Sequence, residues 1–271
     1  MTESATFAAE VGSIKDMINR SALSGDDQHD DLYLEVSDDE VKVLQSAPGD
    51  SVLTFSSFYD SYFERLSVDG DDPLGAIIRV EQTLGYLDMV SDSGVVELTF
   101  TLDKPEDATA RHLTFEGDFE GGVVLPGGRE ALSRVPDWLP ERFTDDNVYT
   151  SSPEAGSKEL PTTIETRVDD IRHIIGAKDQ VGAKTFPIVV DDGEFILDIG
   201  HGDSYVRGPF DIQDVEGPDV DNQYLSGFEE IFNVLTGRIT LRTAPGNGPL
   251  AVVKDGAKSV VRHVNASVNT D

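Results

Sequence analysis

The residues best equipped for chemistry in this 271-residue chain lie in one stretch, VVDDGEFILDIGHGD, where Asp191, Asp192, His201 and Asp203 bring carboxylates and an imidazole close together in sequence. Such a set could hold a divalent cation through oxygen and nitrogen donors. The same residues interrupt apolar runs of strand character, and the stretch reads better as two hairpin turns in a sheet, with DDG the clearest. No G-x-S-x-G elbow, P-loop or H-E-x-x-H occurs, so the motif-borne routes to nucleophilic, phosphate-cradling and zinc chemistry are missing. The sequence contains no cysteine, which removes disulfides and thiolate metal sites. These features describe a protein without catalytic residues, metal or cofactor.

Charge is the strongest compositional signal. There are 52 acidic against 21 basic residues, a formal net charge of −31. The carboxylates are spread through segments that also carry periodic apolar residues, which points to an acidic folded surface rather than an acidic tail. Lysine is scarce, Lys15, Lys42 and Lys178 among the few, and arginine supplies the other cations. This pattern fits a halophilic protein. In molar salt the screening length falls to ~3 Å, so net charge no longer dictates which partners are allowed. No apolar run approaches the ~20 residues that span a bilayer. The start MTESATFAAEV lacks the basic and apolar regions of a signal peptide, and the chain reads as soluble and cytoplasmic.

The periodicity divides the chain into similar halves. Val11, Ile14, Ile18 and Ala22 keep helical spacing and precede the strand-like runs DLYLEV, VKVLQS and SVLTFSSF. Val168, Ile171 and Ile175 do the same ahead of TFPIVV, EFILDIG and DSYVRGPF. Later in each half a helix and further strands follow. The apolar stripe Leu225, Phe228, Phe232 and Leu235 predicts a helix over 224–236, matching one over 80–90. A repeat of ~140 residues is too long for a solenoid unit and indicates a duplicated α+β domain built from helices and antiparallel sheet. The expected boundaries are 1–127 and 162–271, with a connector at 128–161 rich in Pro, Ser, Gly and charge. Trp138, the sole tryptophan, lies on that connector, either packed onto its own domain or lining a binding surface.

Three patches carry a family resemblance: VKVLQSAPGDSVLTFSSFYDSYF, the connector motif RVPDWLP, and RITLRTAPGNGPLAVVKDGAKSVVRHV. They resemble sliding clamps of the proliferating cell nuclear antigen (PCNA) type, archaeal or archaeal-virus-like. The resemblance implies the DNA clamp fold, two domains per chain, and a closed homotrimeric ring with helices around a central hole. It implies a processivity factor and recruitment platform that encircles double-stranded DNA without reading sequence and is opened by a clamp loader. DNA polymerase and other proteins carrying clamp-binding peptides would be its partners.

On that resemblance the channel cations are Lys15, Arg20, Arg79, Arg167, Arg172 and Lys178, a thin set interspersed with Asp16, Glu81, Asp88, Asp169 and Asp170. The partner-peptide pocket maps to Ala47, Val52, Val135, Trp138, Leu139, Pro249, Leu250 and Ala266. Where the family ends in an apolar residue followed by Ala-Pro, this chain reads HVNASV, which alters part of the pocket wall. Subunits would join through GGVVLPG and DSYVRGP, placing Val123 and Leu125 near Tyr205 and Val206. The alternative function is a clamp-fold structural or adaptor protein that no longer encircles DNA.

Overall fold

The computed structural model describes residues 3–22, 31–46, 52–70, 73–104, 109–118, 120–126, 148–150, 157–209, 214–225 and 229–265. The first half runs β1 (Glu3–Glu10), α1 (Val11–Ser21), β2 (Asp31–Val36), β3 (Glu40–Ser46), β4 (Val52–Tyr59), β5 (Arg65–Asp69), β6 (Leu74–Arg79), α2 (Val80–Leu87), β7 (Val95–Leu102), β8 (His112–Glu116) and β9 (Glu120–Val124). A small antiparallel pair, β10 (Val148–Thr150) with β11 (Ser157–Glu159), follows in the chain. The second half runs β12 (Thr162–Arg167), α3 (Val168–Val181), β13 (Thr185–Asp191), β14 (Glu194–His201), β15 (Ser204–Pro209), β16 (Asp214–Glu216), β17 (Val220–Leu225), α4 (Ile231–Val234), β18 (Arg238–Thr243), β19 (Leu250–Asp255) and β20 (Ser259–Asn265). Element for element, the second half repeats the first.

The sheets repeat as well. The order β5-β1-β7-β8-β9 recurs as β16-β12-β18-β19-β20, and β4-β3-β2-β6 recurs as β15-β14-β13-β17. The halves then fuse: β20 pairs antiparallel with β4, Ser259 opposite Phe58 through Asn265 opposite Val52, giving one nine-stranded sheet. They do not keep separate cores. One apolar cluster includes Phe7, Phe58 and Phe100 from the first half and Phe186, Phe195 and Phe232 from the second. Buried and exposed residues alternate along strands such as β2 and β8, which turn one apolar face to the core, whereas β4 and β19 at the seam are buried on both faces.

The helices start without side-chain caps. Backbone carbonyls take that role in both halves: Val11 N–H donates to the Gly94 carbonyl at 2.8 Å, and Val168 N–H to the Gly237 carbonyl at 2.9 Å. Each helix therefore begins where the loop before β7 or β18 meets it, which satisfies a donor that would otherwise be orphaned. Val11, Ile14, Met17 and Ile18 of α1, and Val168, Ile171 and Ile174 of α3, are buried. Packing orders the helices as α2, α1, α4, α3 in one layer that spans both halves.

The helix expected over 224–236 is instead a single turn, Ile231–Val234. β17 continues through Leu225, which pairs with Thr185, and Leu235 is already extended. Ladder hydrogen bonds to β13 hold the beginning of the apolar stripe in a strand. Phe232 and Leu235 are buried nonetheless, and Phe228 lies outside the described residues.

Candidate nucleic-acid, peptide and subunit interfaces

Four of the six cations expected on the helical layer are engaged by groups of the layer itself, three of them between helices and Arg20 within α1. Lys15 Nζ lies 2.7 Å from Asp88 Oδ1 and 2.8 Å from Asp92 Oδ1, fastening α1 to the end of α2. Its hydrogen bonds to the Asp88 and then the Asp92 carboxylate raise the pKa of the ammonium group above the ordinary lysine value. Arg20 Nε donates to Asp16 Oδ1 at 2.8 Å, one turn earlier on α1. Arg172 Nε donates to the Phe232 carbonyl at 2.9 Å and Nη2 to the Leu235 carbonyl at 3.2 Å, while Nη1 pairs with Asp169 at 3.1 Å. That guanidinium supplies donors for carbonyls at the end of the one-turn helix α4.

Lys178 is buried, with Nζ 3.1 Å from Glu229 and 3.3 Å from Asp179. Its spacing from Ile171 and Ile174 places it on the buried face of α3, a signal present in the sequence. Arg79 and Arg167 differ from the rest. Both are exposed, and they end β6 and β12 as the residues leading into α2 and α3.

The expected peptide pocket is described only in part. Pro249 and Leu250 are buried at the start of β19, and Val52 is half-buried at the start of β4, opposite Asn265. Ala47, Val135, Trp138, Leu139 and Ala266 lie outside the described residues. The turn before Pro249 is held by a buried polar network. Tyr224 Oη donates to the Gly248 carbonyl at 2.8 Å, Asn222 Nδ2 to the Ala244 carbonyl at 2.9 Å, and Asn247 N–H to Asn222 Oδ1 at 3.0 Å. Burial pushes the Tyr224 phenol up to about 12, so it stays a donor throughout the ordinary pH range. A second apolar cluster, with Leu44, Leu53, Phe55, Leu160, Ala251 and Val264, lies around the β4–β20 seam. Sequence reasoning misses Asn222 and Tyr224, since nothing local marks a polar residue as a scaffold for a distant turn.

β9 and β15, which carry GGVV and SYVRGP, each end a sheet. The other terminal strands, β5 with β6 and β16 with β17, are consecutive in the chain, so each pair turns the corner between two sheets of its half. On β9, Val123 is buried, as is Leu125 just beyond it, whereas Val124 faces outward and is 68% exposed. On β15, Val206 packs against the core and Tyr205 is 75% exposed. Both edges thus present a large apolar side chain to solvent. Arg207, also on β15, lies 2.8 Å from Asp198.

The acidic stretch is a pair of hairpins. Asp192 and Gly193 have φ of 53° and 77°, the type I′ turn between β13 and β14. His201 and Asp203 belong to the turn at the other end of β14. An eight-residue strand separates the two groups, and among the described residues no three ligand-type side chains converge.

No protein-family model matches the chain, and no curated protein does either. Solved structures do. The PCNA of A. fulgidus, in a structure with the C-terminal region of FEN-1 bound, aligns at TM-score 0.72 and 13% identity over 98% of this chain and 99% of that one. Thermococcus kodakaraensis PCNA aligns at 0.69 and 13% identity over 98% and 100%. A PCNA2–PCNA3 complex from Sulfolobus tokodaii aligns at 0.66 and 12% over 97% and 98%. The chain therefore has the PCNA-type sliding-clamp fold along nearly its whole length.

Proposed function

We propose that this chain is a DNA sliding clamp, a processivity factor and recruitment platform that acts as a homotrimeric ring. The observation that carries the reading is the seam between β20 and β4. It joins a five-stranded sheet of one half to a four-stranded sheet of the other, and the equivalent strands, β9 and β15, have a partner on one side only among the described residues. An unpaired edge is a liability unless something covers it. Head-to-tail pairing of β9 with β15 of the next copy repeats the internal seam around a closed ring, the heterologous arrangement that cyclic assembly requires. The helical layer then faces the hole.

Such a ring works by topology. It must tolerate phosphate without gripping any base, so a layer with few uncommitted cations suits sliding. FEN-1's C-terminal region bound to the A. fulgidus protein supports the idea that short peptides are its partners, taken up beside Val52, Pro249 and Leu250. The acidic composition supports a halophilic setting, where screening allows highly charged copies to associate.

The decisive experiment loads the protein onto nicked circular DNA with a clamp loader and passes the complex through a sizing column. A clamp co-elutes with the circle and is lost when a restriction enzyme linearises it. Equal loss from circle and line would favour the adaptor reading, and a monomeric mass at every salt concentration would exclude a stable ring.

A further inference from the structure

A depression of about 340 Å³ opens on the outer face of the four-stranded sheet β15-β14-β13-β17, with Val189, Ile196, Asp191, Asp198, Arg207 and Asp221 around it. Val190, Phe195 and Leu197 turn the other way, into the core. Val189 and Ile196 are direct ladder partners, both half-buried, and form an apolar floor. Asp221 lies opposite Val189 on β17, and Asp191 follows Val189 by two residues on the same face of β13. Asp198 is paired with Arg207 at 2.8 Å. Asp191 and Asp221 are exposed and, among the described residues, paired with no cation.

The first half carries the same face in a filled form. Its turn places Ser37 where the second half has Asp191 and Glu40 where it has Glu194, since Ser37 N–H donates to the Glu40 carbonyl at 2.9 Å and Asp191 pairs with Glu194. Lys42 is therefore the counterpart of Ile196, and its ladder partner Glu35 the counterpart of Val189. The Lys42 ammonium lies 3.4 Å from Glu35 and 3.3 Å from Glu40, so this face neutralises itself. The second half exchanges that lysine and its cross-strand glutamate for two aliphatic residues. It also gains carboxylates at two other places, Asp191 for Ser37 and Asp221 for Gly75. The cation is gone and the acid around it has grown.

We propose that this depression receives a lysine side chain presented by a partner protein, its methylenes on Val189 and Ile196 and its ammonium between Asp191 and Asp221. Long basic side chains lay an aliphatic stem on apolar surface while the charged head stays with polar groups. Asp191 and Asp221 are diagonal neighbours on different strands, roughly 7–8 Å apart at the backbone. A compact ammonium with rotatable donors suits two such carboxylates better than the planar fork of a guanidinium. A second copy of this chain, at a net charge of −31, is a poor source of that cation. The site lies within one chain and stands whether or not a ring forms.

Methyl-resolved NMR of the full chain at low salt tests the proposal, with acetyl-Ala-Ala-Lys-Ala-Ala-amide as the probe. The Val189 and Ile196 methyl signals should shift on titration, and the same peptide with its lysine acetylated should leave them in place. Asp191→Asn with Asp221→Asn should weaken binding about fivefold. Ile196→Lys, which installs the chain's own ammonium where Lys42 stands in the first half, should abolish it, with circular dichroism showing that the fold is retained. Absence of shifts at these methyls, or undiminished binding by both variants, would overturn the site and leave only general attraction to an acidic surface. Spermidine that shifts the same methyls at the same concentration as the peptide would overturn the partner-protein assignment in favour of a polyamine. None of these outcomes depends on oligomeric state, which light scattering of the same samples records separately.

Discussion

Lys178 Nζ lies 3.1 Å from Glu229 Oε1; the lysine side chain is buried, 5% exposed, and that of Glu229 is 12% exposed. The pair ties α3 to the residues leading into α4, where backbone hydrogen bonds alone offer little, since α4 is one turn long. Burial holds the Glu229 carboxyl above the usual range, and Lys178 only partly opposes it. Lys178→Met strands the Glu229 carboxylate and should destabilise the fold by roughly 3–5 kcal/mol, whereas Glu229→Leu leaves Lys178 with Asp179 at 3.3 Å and should cost less. The double variant should recover most of that loss or exceed the wild type. Denaturant unfolding of the four proteins at fixed salt measures it, and additive single losses would show that the pair is not coupled.

His263 gives the seam between the halves a pH dependence. It lies opposite Thr54 across β20 and β4, with Nδ1 3.0 Å from Thr54 Oγ1. Burial pushes the imidazole down to about 4, an effect only partly offset by the Arg20 backbone. The unfolded chain takes up this proton near pH 6.5, whereas the folded chain resists until about pH 4. Stability from this group is therefore full above pH 6.5 and is lost as pH falls toward 4, on the order of 3 kcal/mol in all. Glu229 acts in the opposite sense, gaining from protonation. Comparing wild type with His263→Gln at pH 7, 5 and 4 isolates the histidine: the variant should lose less stability on acidification, and parallel curves would show that His263 does not drive it.

Much of this architecture is legible in the sequence. The spacing of Val11, Ile14 and Ile18 and of Val168 and Ile171 marks α1 and α3, and DDG marks a turn whose left-handed residues match. These are local signals. What cannot be read depends on distant partners. The apolar spacing of Leu225, Phe232 and Leu235 suits a helix, yet pairing with Thr185 draws Leu225 into a strand. The β4–β20 seam joins residues some two hundred positions apart, with nothing local to announce it. On β9 the alternation is readable, but which parity faces the core depends on the sheet beneath, and it is Val124 that faces outward.

Gly176 offers a stabilising change. It lies within α3, and a Cβ added there would meet nothing within 4 Å. Glycine in a helix interior costs about 1 kcal/mol relative to alanine. Gly176→Ala should raise unfolding stability by that amount in denaturant titrations. A loss instead would mean that the close approach of another element, in the monomer or the ring, needs the bare backbone.

Arg79 and Arg167 separate a channel that meets phosphate from a layer whose charges only hold the helices. Both are exposed at the entry to α2 and α3. A cation there works against the helix macrodipole, so helix stability does not require it. Arg79→Ala with Arg167→Ala should leave denaturant stability within about 0.5 kcal/mol of wild type. Binding to short linear duplex at low salt should weaken, and the slope of log affinity against log salt should flatten by about 1 for each phosphate that is no longer neutralised. Lys15→Met should behave oppositely, because Lys15 is committed to Asp88 and Asp92: the α1–α2 packing weakens while the salt slope stays. If the double variant binds duplex with an unchanged slope, the exposed arginines do not meet DNA, and the proposed clamp would have to slide with almost no phosphate neutralisation from this layer.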